Sequence, residues 1–192
     1  MKIGLFFGSF NPIHIGHLII ANHLVEHSDL EKIWFVITPH SPFKKKSTLL
    51  DNYQRLEMVY LATEPYESLS PSDIEFNLPQ PNYTINTLVY LEEKYPKHEF
   101  SLIMGEDNLK SFHKWKNYEL ILERHDIYTY PRLSEGAVDT QFKGHEKIHH
   151  VKAPIMELSS TFIRTCIKEG KNVQPMLPPK VWDYLDDMNF YR

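Results

Sequence analysis

Residues 8–18 read GSFNPIHIGHL, and this stretch decides the fold class. An apolar run of strand length, Ile3–Phe7, precedes it, and after it apolar residues recur at roughly helical spacing at Leu18, Ile19, Ala21, Leu24 and Val25. Gly8 lets the backbone approach a ligand closely, and Pro12 restricts the path of the loop. The stretch therefore predicts a buried strand, a loop and a helix N-terminus, whose unpaired amides attract anions such as phosphate.

His14 and His17 are three residues apart at the predicted start of this helix. On a helical turn both rings lie on one side and can donate hydrogen bonds to the same oxyanion. Paired imidazole donors suit a phosphoryl group that gains negative charge during a reaction. A His-x-Gly-His string alone is also compatible with two ordinary surface histidines in a chain that has eleven. The glycine, the Phe-x-Pro sequence and the flanking elements favour a nucleotide triphosphate site.

Length and composition limit the classes of protein to which the chain can belong. Its 192 residues and hydrophobic content of 42% predict a single packed domain over residues 1–192. A net charge of −4 argues against broad binding to nucleic acid or to a membrane surface, which requires a basic face. We find no signal-peptide pattern and no apolar run long enough to span a bilayer, so we expect a cytoplasmic protein.

The one cysteine, Cys166, excludes an intramolecular disulfide. It falls in a helical pattern with Phe162, Ile163 and Ile167, which predicts a buried thiol rather than a nucleophile. The sequence does not determine the oligomeric state, and a homo-oligomer is compatible with it.

Strand-like runs alternate with helical patterns along the chain. The runs are Ile3–Phe7, Ile33–Thr38, Phe100–Met104 and Ile127–Tyr130, and the helical patterns lie near Leu18–Glu26, Asn52–Thr63 and Ile85–Tyr95. This alternation predicts βαβ units and therefore an α/β fold, a Rossmann-like doubly wound parallel sheet with helices on both faces. Ligands of such sheets bind beyond the C-terminal ends of the strands, where Gly8, Pro39, Gly105 and Pro131 fall.

Capping patterns place three further helix starts. Asp51 and Gln54 form a capping box, Ser159 or Ser160 can cap a helix through residues 163–167, and Pro178 or Pro179 can begin a final helix. The polar segments 41–49 and 132–145 show neither helical nor strand periodicity and are predicted to be loops.

Two other segments carry groups that suit anions. Residues 38–46 read TPHSPFKKK, directly after the second predicted strand. A lysine run is usually a solvated charge cluster, and this interpretation suits two of the three lysines. Residues 158–164 read LSSTFIR and place hydroxyls, amides and a guanidinium at a helix N-terminus, which is a second anion cradle. A plain N-cap with a surface arginine is the alternative.

Several common site types are missing from the sequence. It has no P-loop, no Gly-x-Gly-x-x-Gly fingerprint and no serine elbow of a hydrolase. His145, His149 and His150 lie close together, but no cysteine or carboxylate spacing supports a metal site. We therefore expect these histidines to be solvent-exposed and predict no protein-bound metal.

The motifs taken together closely resemble the bacterial nicotinate-nucleotide adenylyltransferase family of the nucleotidyltransferase superfamily. His-x-Gly-His marks only the superfamily, and it also occurs in class I aminoacyl-tRNA synthetases, whose anticodon-binding body would not fit in this length. The family is selected by the middle and final segments, which read PNYT at 81–84, GED at 105–107, KW at 114–115 and LPPKVWDY at 177–184.

The resemblance implies transfer of the adenylyl group from ATP to nicotinate mononucleotide, with pyrophosphate as the second product. The acceptor's phosphate is itself the nucleophile, so no serine, cysteine or general base is required. Mg²⁺ would bridge the phosphates of ATP without a dedicated carboxylate cage.

The resemblance also implies the site residues. The catalytic set is His14, His17, Lys44 and Arg164. The ATP-binding set is Gly8, Ser9, Phe10, His14, His17, Gly105, Asp107, Ser159, Ser160 and Arg164. The acceptor-binding set is Lys44, Thr84, Trp115 and Lys116. In this scheme Trp115 stacks on the pyridine ring and the Thr84 backbone approaches the ring's carboxylate, whereas a buried structural role is the usual alternative for a tryptophan.

Two positions depart from the family pattern. Lys116 replaces a tyrosine often found beside the tryptophan, and Asn11 stands where many members carry aspartate. The charge of Lys116 could favour a carboxylate over an amide on the acceptor, which is a hypothesis. Alternative acceptors are nicotinamide mononucleotide and phosphopantetheine, although the Tyr83-Thr84 and Trp115 segments argue against the latter. A non-catalytic nucleotide-binding regulator is a further alternative, against which the retained histidines, Lys44 and Arg164 argue.

Overall fold

The computed structural model describes residues 1–39, 49–132, 141–142 and 144–192. The strands are β1 (Lys2–Gly8), β2 (Lys32–Ile37), β3 (Leu69–Ser72), β4 (Glu99–Gly105), β5 (Ile127–Tyr130) and β6 (Ile148–His150). The helices are α1 (Ile15–His27), α2 (Asn52–Thr63), α3 (Thr84–Lys94), α4 (Glu106–Leu109), α5 (Tyr118–Arg124), α6 (Ser160–Lys168) and α7 (Pro179–Asp187). Short 3₁₀ helices lie at Ile74–Asn77, Phe112–Lys114 and Gln174–Met176.

The strands form one sheet in the order β3-β2-β1-β4-β5-β6, and every described pair is parallel. The chain moves outward from β1 to β3 on one side and then returns to β4 on the other side of β1. Connections therefore diverge at the C-terminal ends of β1 and β4, which is where open α/β sheets form their ligand crevice. The predicted Rossmann-like fold is confirmed.

Helices cover both faces of the sheet because the strands are apolar on both faces. Side chains alternate along a strand, so Phe6 joins one core cluster while Leu5 joins the other. The first cluster contains buried residues of α1, α2, α6 and α7, and the second contains those of α3 and α5. Cys166 is buried in the first cluster, as predicted.

The two edge strands were not predicted. β3 reads LSPS and β6 reads IHH, and neither has an apolar run or a clear alternation. Both exist because they pair with an inner strand, β3 with β2 and β6 with β5. A proline is tolerated at Pro71 because β3 lies at the edge of the sheet.

Helix starts agree with the capping patterns, with one difference. Asp51 Oδ1 accepts the Tyr53 N–H at 2.8 Å, and Gln54 Oε1 accepts the Asp51 N–H at 3.2 Å. Ser159 is the N-cap of α6, and Pro178 precedes α7. α1 begins at Ile15, three residues before the predicted apolar pattern, because His14 is its N-cap and the His14 N–H donates to Nδ1 of His17 in the first turn.

None of the helices in the described part of the chain is both long and apolar enough to cross a bilayer.

Candidate active site

The loop between β1 and α1, residues 9–14, lies at the C-terminal edge of the sheet. Phe10 adopts a left-handed backbone with φ of +45° and is only 2% exposed. Its ring makes edge contacts with Phe35 and His17, with centroids 5.4 and 5.2 Å apart. A Cβ at Gly8 would lie 2.8 Å from this ring, so a glycine is needed where Phe10 folds back over the strand end.

The two histidines of the loop stack on each other. Their ring centroids are 3.7 Å apart and their planes differ by 25°. The backbone N–H of His14 donates to Nδ1 of His17 at 3.2 Å. Because Nδ1 accepts this hydrogen bond, a neutral His17 carries its proton on Nε2. The ring of His17 therefore has a defined orientation and a defined donor.

His14 is buried and uncharged at neutral pH. The side chain is 4% exposed, and desolvation together with the positive charge of Arg132 lowers its pKa to about 4. Nδ1 has no hydrogen-bond partner in the described part of the chain. A Cβ at Gly16 would lie 3.1 Å from this nitrogen, so the glycine lets the ring lie against the first turn of α1.

The carboxyl ends of β1 and β2 are joined by one buried guanidinium. Arg55, on α2, donates to the carbonyl oxygens of Ser9 at 2.7 Å and Thr38 at 3.0 Å. It also donates to the Leu50 carbonyl and to Asn52 Oδ1. Burial lowers the pKa of Arg55 to about 10, which leaves it charged at neutral pH. Arg55 thus holds the loop after β1 against the adjacent strand and helix.

Arg55 was not singled out from the sequence. A usable signal exists, because Arg55 shares the buried stripe of α2 with Met58, Val59 and Ala62 at helical spacing. A charged residue on such a stripe must find partners for its donors, which indicates a structural or functional role.

The N-terminus of α6 packs against the histidine loop. Ser160 Oγ donates to the Pro12 carbonyl at 2.8 Å, and Arg164 Nη1 donates to the Asn11 carbonyl at 2.7 Å. Ser159 Oγ accepts the Phe162 N–H at 3.2 Å as the helix cap. The two segments predicted to bind anions, the histidine loop and the start of α6, therefore meet. The hydroxyl groups of Ser159 and Ser160 nevertheless make hydrogen bonds within the protein.

Across the crevice, α4 starts at the C-terminal end of β4. Gly105 is its N-cap, and Asp107 Oδ2 accepts a hydrogen bond from Arg132 Nη1 at 3.4 Å. Arg132 Nη2 donates to the hydroxyl of Tyr130 at 2.8 Å. A Cβ at Gly105 would lie 2.4 Å from Asp107 Oδ1 and 2.9 Å from Arg132 Nε. With a larger residue at position 105, the side chains of Asp107 and Arg132 would have to move away from this strand end.

Arg132 is a second residue that the sequence analysis did not select. It follows β5 directly, at the edge where ligands of this fold bind, and its charge acts on His14. That position, two residues after a predicted strand end, was the available signal. Asp107 Oδ1 is buried and has no hydrogen-bond partner among the described residues.

The two segments predicted to bind the acceptor, at Thr84 and at Trp115–Lys116, come together on the other face of the sheet. Thr84 is the first residue of α3, and Trp115 is half-buried with its ring 5.4 Å from that of Phe112. Lys116 Nζ lies 4.5 Å from the centroid of the Tyr83 ring, a cation–π contact that joins the two segments. Trp115 therefore combines structural packing on one side with an accessible surface.

Lys44 lies outside the described residues. Of the clustered histidines, His145 and His150 are exposed, but His149 is half-buried, which corrects its expected exposure. It stacks on Tyr128 with centroids 4.8 Å apart and pairs with Asp126 at 3.3 Å.

The fold and the site define a nucleotidyltransferase, and comparisons with known proteins agree. The cytidylyltransferase-like family model matches residues 5–166. Proteins named probable nicotinate-nucleotide adenylyltransferase are similar to this chain at 68% identity in Flavobacterium johnsoniae, over all of both chains, and at 45% in Bacteroides fragilis, over 94% of this chain and 89% of the relative. The chain belongs to the nicotinate-nucleotide adenylyltransferase family.

A solved structure shows the same fold at low sequence identity. The nicotinic acid mononucleotide adenylyltransferase of Plasmodium falciparum, complexed with NaAD, aligns with a TM-score of 0.81 and 20% identity. The alignment covers 99% of this chain and 97% of that one.

Proposed function

We propose that this protein transfers the adenylyl group of MgATP to nicotinate mononucleotide, forming nicotinate adenine dinucleotide and pyrophosphate. The observation that carries the reaction class is the stacked His14–His17 pair on a loop held by the N-terminus of α6. The acceptor is supported by the names of relatives that are 68% identical over the whole chain.

In the proposed reaction, an oxygen of the acceptor's phosphate attacks the α-phosphorus of ATP. A bond forms between them while the bond to the bridging oxygen of the β-phosphate breaks, and that oxygen leaves with pyrophosphate. A phosphate monoester is largely anionic near neutral pH, so no side chain has to remove a proton. The protein's task is to align the reactants and to stabilise charge.

The histidines supply donors for the charge that develops on the α-phosphate. The Nε2–H of His17 has its direction set by the hydrogen bond at Nδ1. His14 is neutral and carries one N–H, because its pKa lies near 4. Donors that are already oriented stabilise a growing charge without a reorganisation cost.

The leaving pyrophosphate is assigned to α6. Its first amides and the guanidinium of Arg164 are the nearest positive groups of this helix to the histidine loop. We assign Lys44 to the non-bridging oxygens. Mg²⁺ arrives as part of the substrate, coordinated by the phosphates of ATP and by water. Asp107, with Oδ1 unpartnered in the described residues, is assigned to a hydrogen bond with the nucleotide.

The acceptor is assigned to the opposite face of the crevice. The amides at the start of α3 suit the carboxylate of nicotinate, and the accessible side of Trp115 suits its ring. Lys116 adds a positive charge beside Tyr83. Because both substrates are soluble metabolites, we place the reaction in the cytoplasm.

Pyrophosphate release from MgATP tests this function, with nicotinate mononucleotide, nicotinamide mononucleotide and phosphopantetheine as parallel acceptors. We expect a strong preference for the nicotinate form. Comparable activity with another acceptor would support adenylyl transfer from ATP but reject nicotinate mononucleotide as the acceptor. Binding of ATP without release with any acceptor would indicate a nucleotide-binding regulator instead.

A further inference from the structure

We propose that Tyr191, which follows α7, is a positioning residue for the loop that carries His14 and His17. Its hydroxyl donates to Asn11 Oδ1 at 2.6 Å, across 180 positions of the sequence. The role of the loop in adenylyl transfer rests on the proposed function. The contact between Tyr191 and Asn11 is independent of that function, because it is a feature of the folded chain itself.

Asn11 is the point at which the loop is held. It is 3% exposed, and its Oδ1 also accepts the Leu50 N–H at 3.3 Å. Its carbonyl oxygen accepts from Arg164 at 2.7 Å. A shift of Asn11 therefore displaces the loop and the guanidinium assigned to pyrophosphate together. The Tyr191 hydroxyl opposes that shift, because it holds the Asn11 side chain at 2.6 Å from a distant part of the chain.

The backbone after α7 is shaped to deliver this hydroxyl. Asn189 and Tyr191 both adopt left-handed conformations, with φ of +53° and +66°. Such conformations are unfavourable for residues other than glycine and persist where surrounding contacts determine them. Here Phe190 is buried, donates its N–H to the Leu185 carbonyl and packs on the ring of Tyr184.

The Tyr191 hydroxyl is the donor in its contact with Asn11. The positive charges of Arg55 and Arg164 act on this hydroxyl, but burial outweighs them and raises its pKa. The hydroxyl therefore stays protonated, and Asn11 Oδ1 accepts a hydrogen bond from it and another from the Leu50 N–H.

A double-mutant cycle tests the coupling, with the variants Y191F, N11A and the two combined. The control is Y184F, because the Tyr184 hydroxyl makes no hydrogen bond in the described part of the chain and belongs to the same region. We expect Y191F to lower kcat about tenfold, since small displacements of aligned groups are costly to rate. KM for nicotinate mononucleotide should stay within about twofold, and the double variant should be no slower than N11A.

Two kinetic outcomes would overturn the proposal. One is a kcat of Y191F within twofold of the wild type. The other is a double variant whose loss equals the product of the two single losses, because independent residues combine in that way.

Amide hydrogen exchange gives a readout that does not depend on an acceptor. Y191F is expected to speed exchange in peptides covering residues 8–17, and Y184F is expected to leave them unchanged. Faster exchange spread evenly over the chain would mean general destabilisation and would overturn a positioning role. If the wild type transfers adenylate to no acceptor, the proposed function fails and exchange alone decides the role of Tyr191.

Discussion

The two histidines of the loop form one unit because the backbone of the first orients the ring of the second. The hydrogen bond from His14 N–H to His17 Nδ1 directs the Nε2–H of His17, and the stacked rings keep the two donors together. His14 is held by burial and by the missing Cβ of Gly16. At this scale, the contacts that orient the two rings relative to each other join residues only three positions apart.

Replacing His17 by alanine should lower kcat by about 10³-fold, because a donor aimed at developing charge acts mainly on the transition state. The dissociation constant of MgATP, measured by calorimetry, should rise only a few-fold. His27→Ala is a matched control, since His27 is an exposed histidine at the C-terminal end of α1. Equal losses in kcat and in ATP affinity would contradict a transition-state role.

Replacing Lys116 by alanine tests the acceptor preference. It removes the cation from the Tyr83 ring and from the start of α3, so the ratio of kcat/KM for the nicotinate over the nicotinamide acceptor should fall about five- to tenfold. Lys110→Ala, an exposed lysine after α4, is the control. An unchanged ratio would reject the hypothesis that Lys116 selects the carboxylate.

Elements distant in sequence build the rest of the site. α2 supplies Arg55 to the carboxyl ends of β1 and β2, and α6 supplies Ser160 and Arg164 to the loop that precedes α1. These helices pack on the same face of the sheet through the first core cluster. Their hydrogen bonds therefore depend on hydrophobic packing, which places each helix start at the crevice.

Arg55→Lys should show how much this connection between elements stabilises the fold. An ammonium group lacks the planar fork of arginine and cannot reach four acceptors on three segments. We expect the free energy of unfolding, from urea titration, to fall by about 2–3 kcal/mol. Arg124→Lys should change it by less than about 0.5 kcal/mol, since Arg124 forms an exposed ion pair. A similar small effect for Arg55→Lys would show that the connection is dispensable.

The whole molecule places two different surfaces at one edge of the sheet. The strand order reverses between β1 and β4, so the groups proposed to bind the nucleotide lie at the diverging strand ends. Helices of the first cluster bring the residues proposed to bind phosphate, and helices of the second bring the segments proposed to bind the acceptor. A doubly wound sheet therefore suits a reaction that joins two substrates.

Burial of His14 also makes the stability of the whole molecule depend on pH. Its pKa is about 4 in the folded chain and near 6.5 in the unfolded chain, so below pH 6.5 only the unfolded chain gains the proton. This contribution to stability is complete above pH 6.5 and is lost as the pH falls toward 4. Urea titrations at pH 7.5 and 5 should show the wild type losing about 2 kcal/mol more than His14→Gln. Equal losses would mean that His14 is charged when buried.

Strong local patterns made the inner strands, the main helices and the histidine motif predictable from sequence. β1, β2, β4 and β5 are buried on both faces and read as apolar runs, and the capping patterns marked the starts of α2, α6 and α7. The edge strands β3 and β6 were missed because pairing, rather than composition, creates them. The site roles of Lys44, Thr84 and Trp115 remain predictions.

The sequence by itself determined the fold class, the loop with its paired histidines and the family, because each is carried by residues adjacent in the chain. Only the tertiary structure identified Arg55, Arg132 and Tyr191, and only it showed that Asn11 holds the loop in place. Each has a partner distant in sequence, 17 positions away at Thr38, 25 at Asp107 and 180 at Asn11, and the charge of Arg132 also acts through space on the buried His14 ring. Such contacts leave no local periodicity, because they arise only when packing brings distant helices and strand ends together.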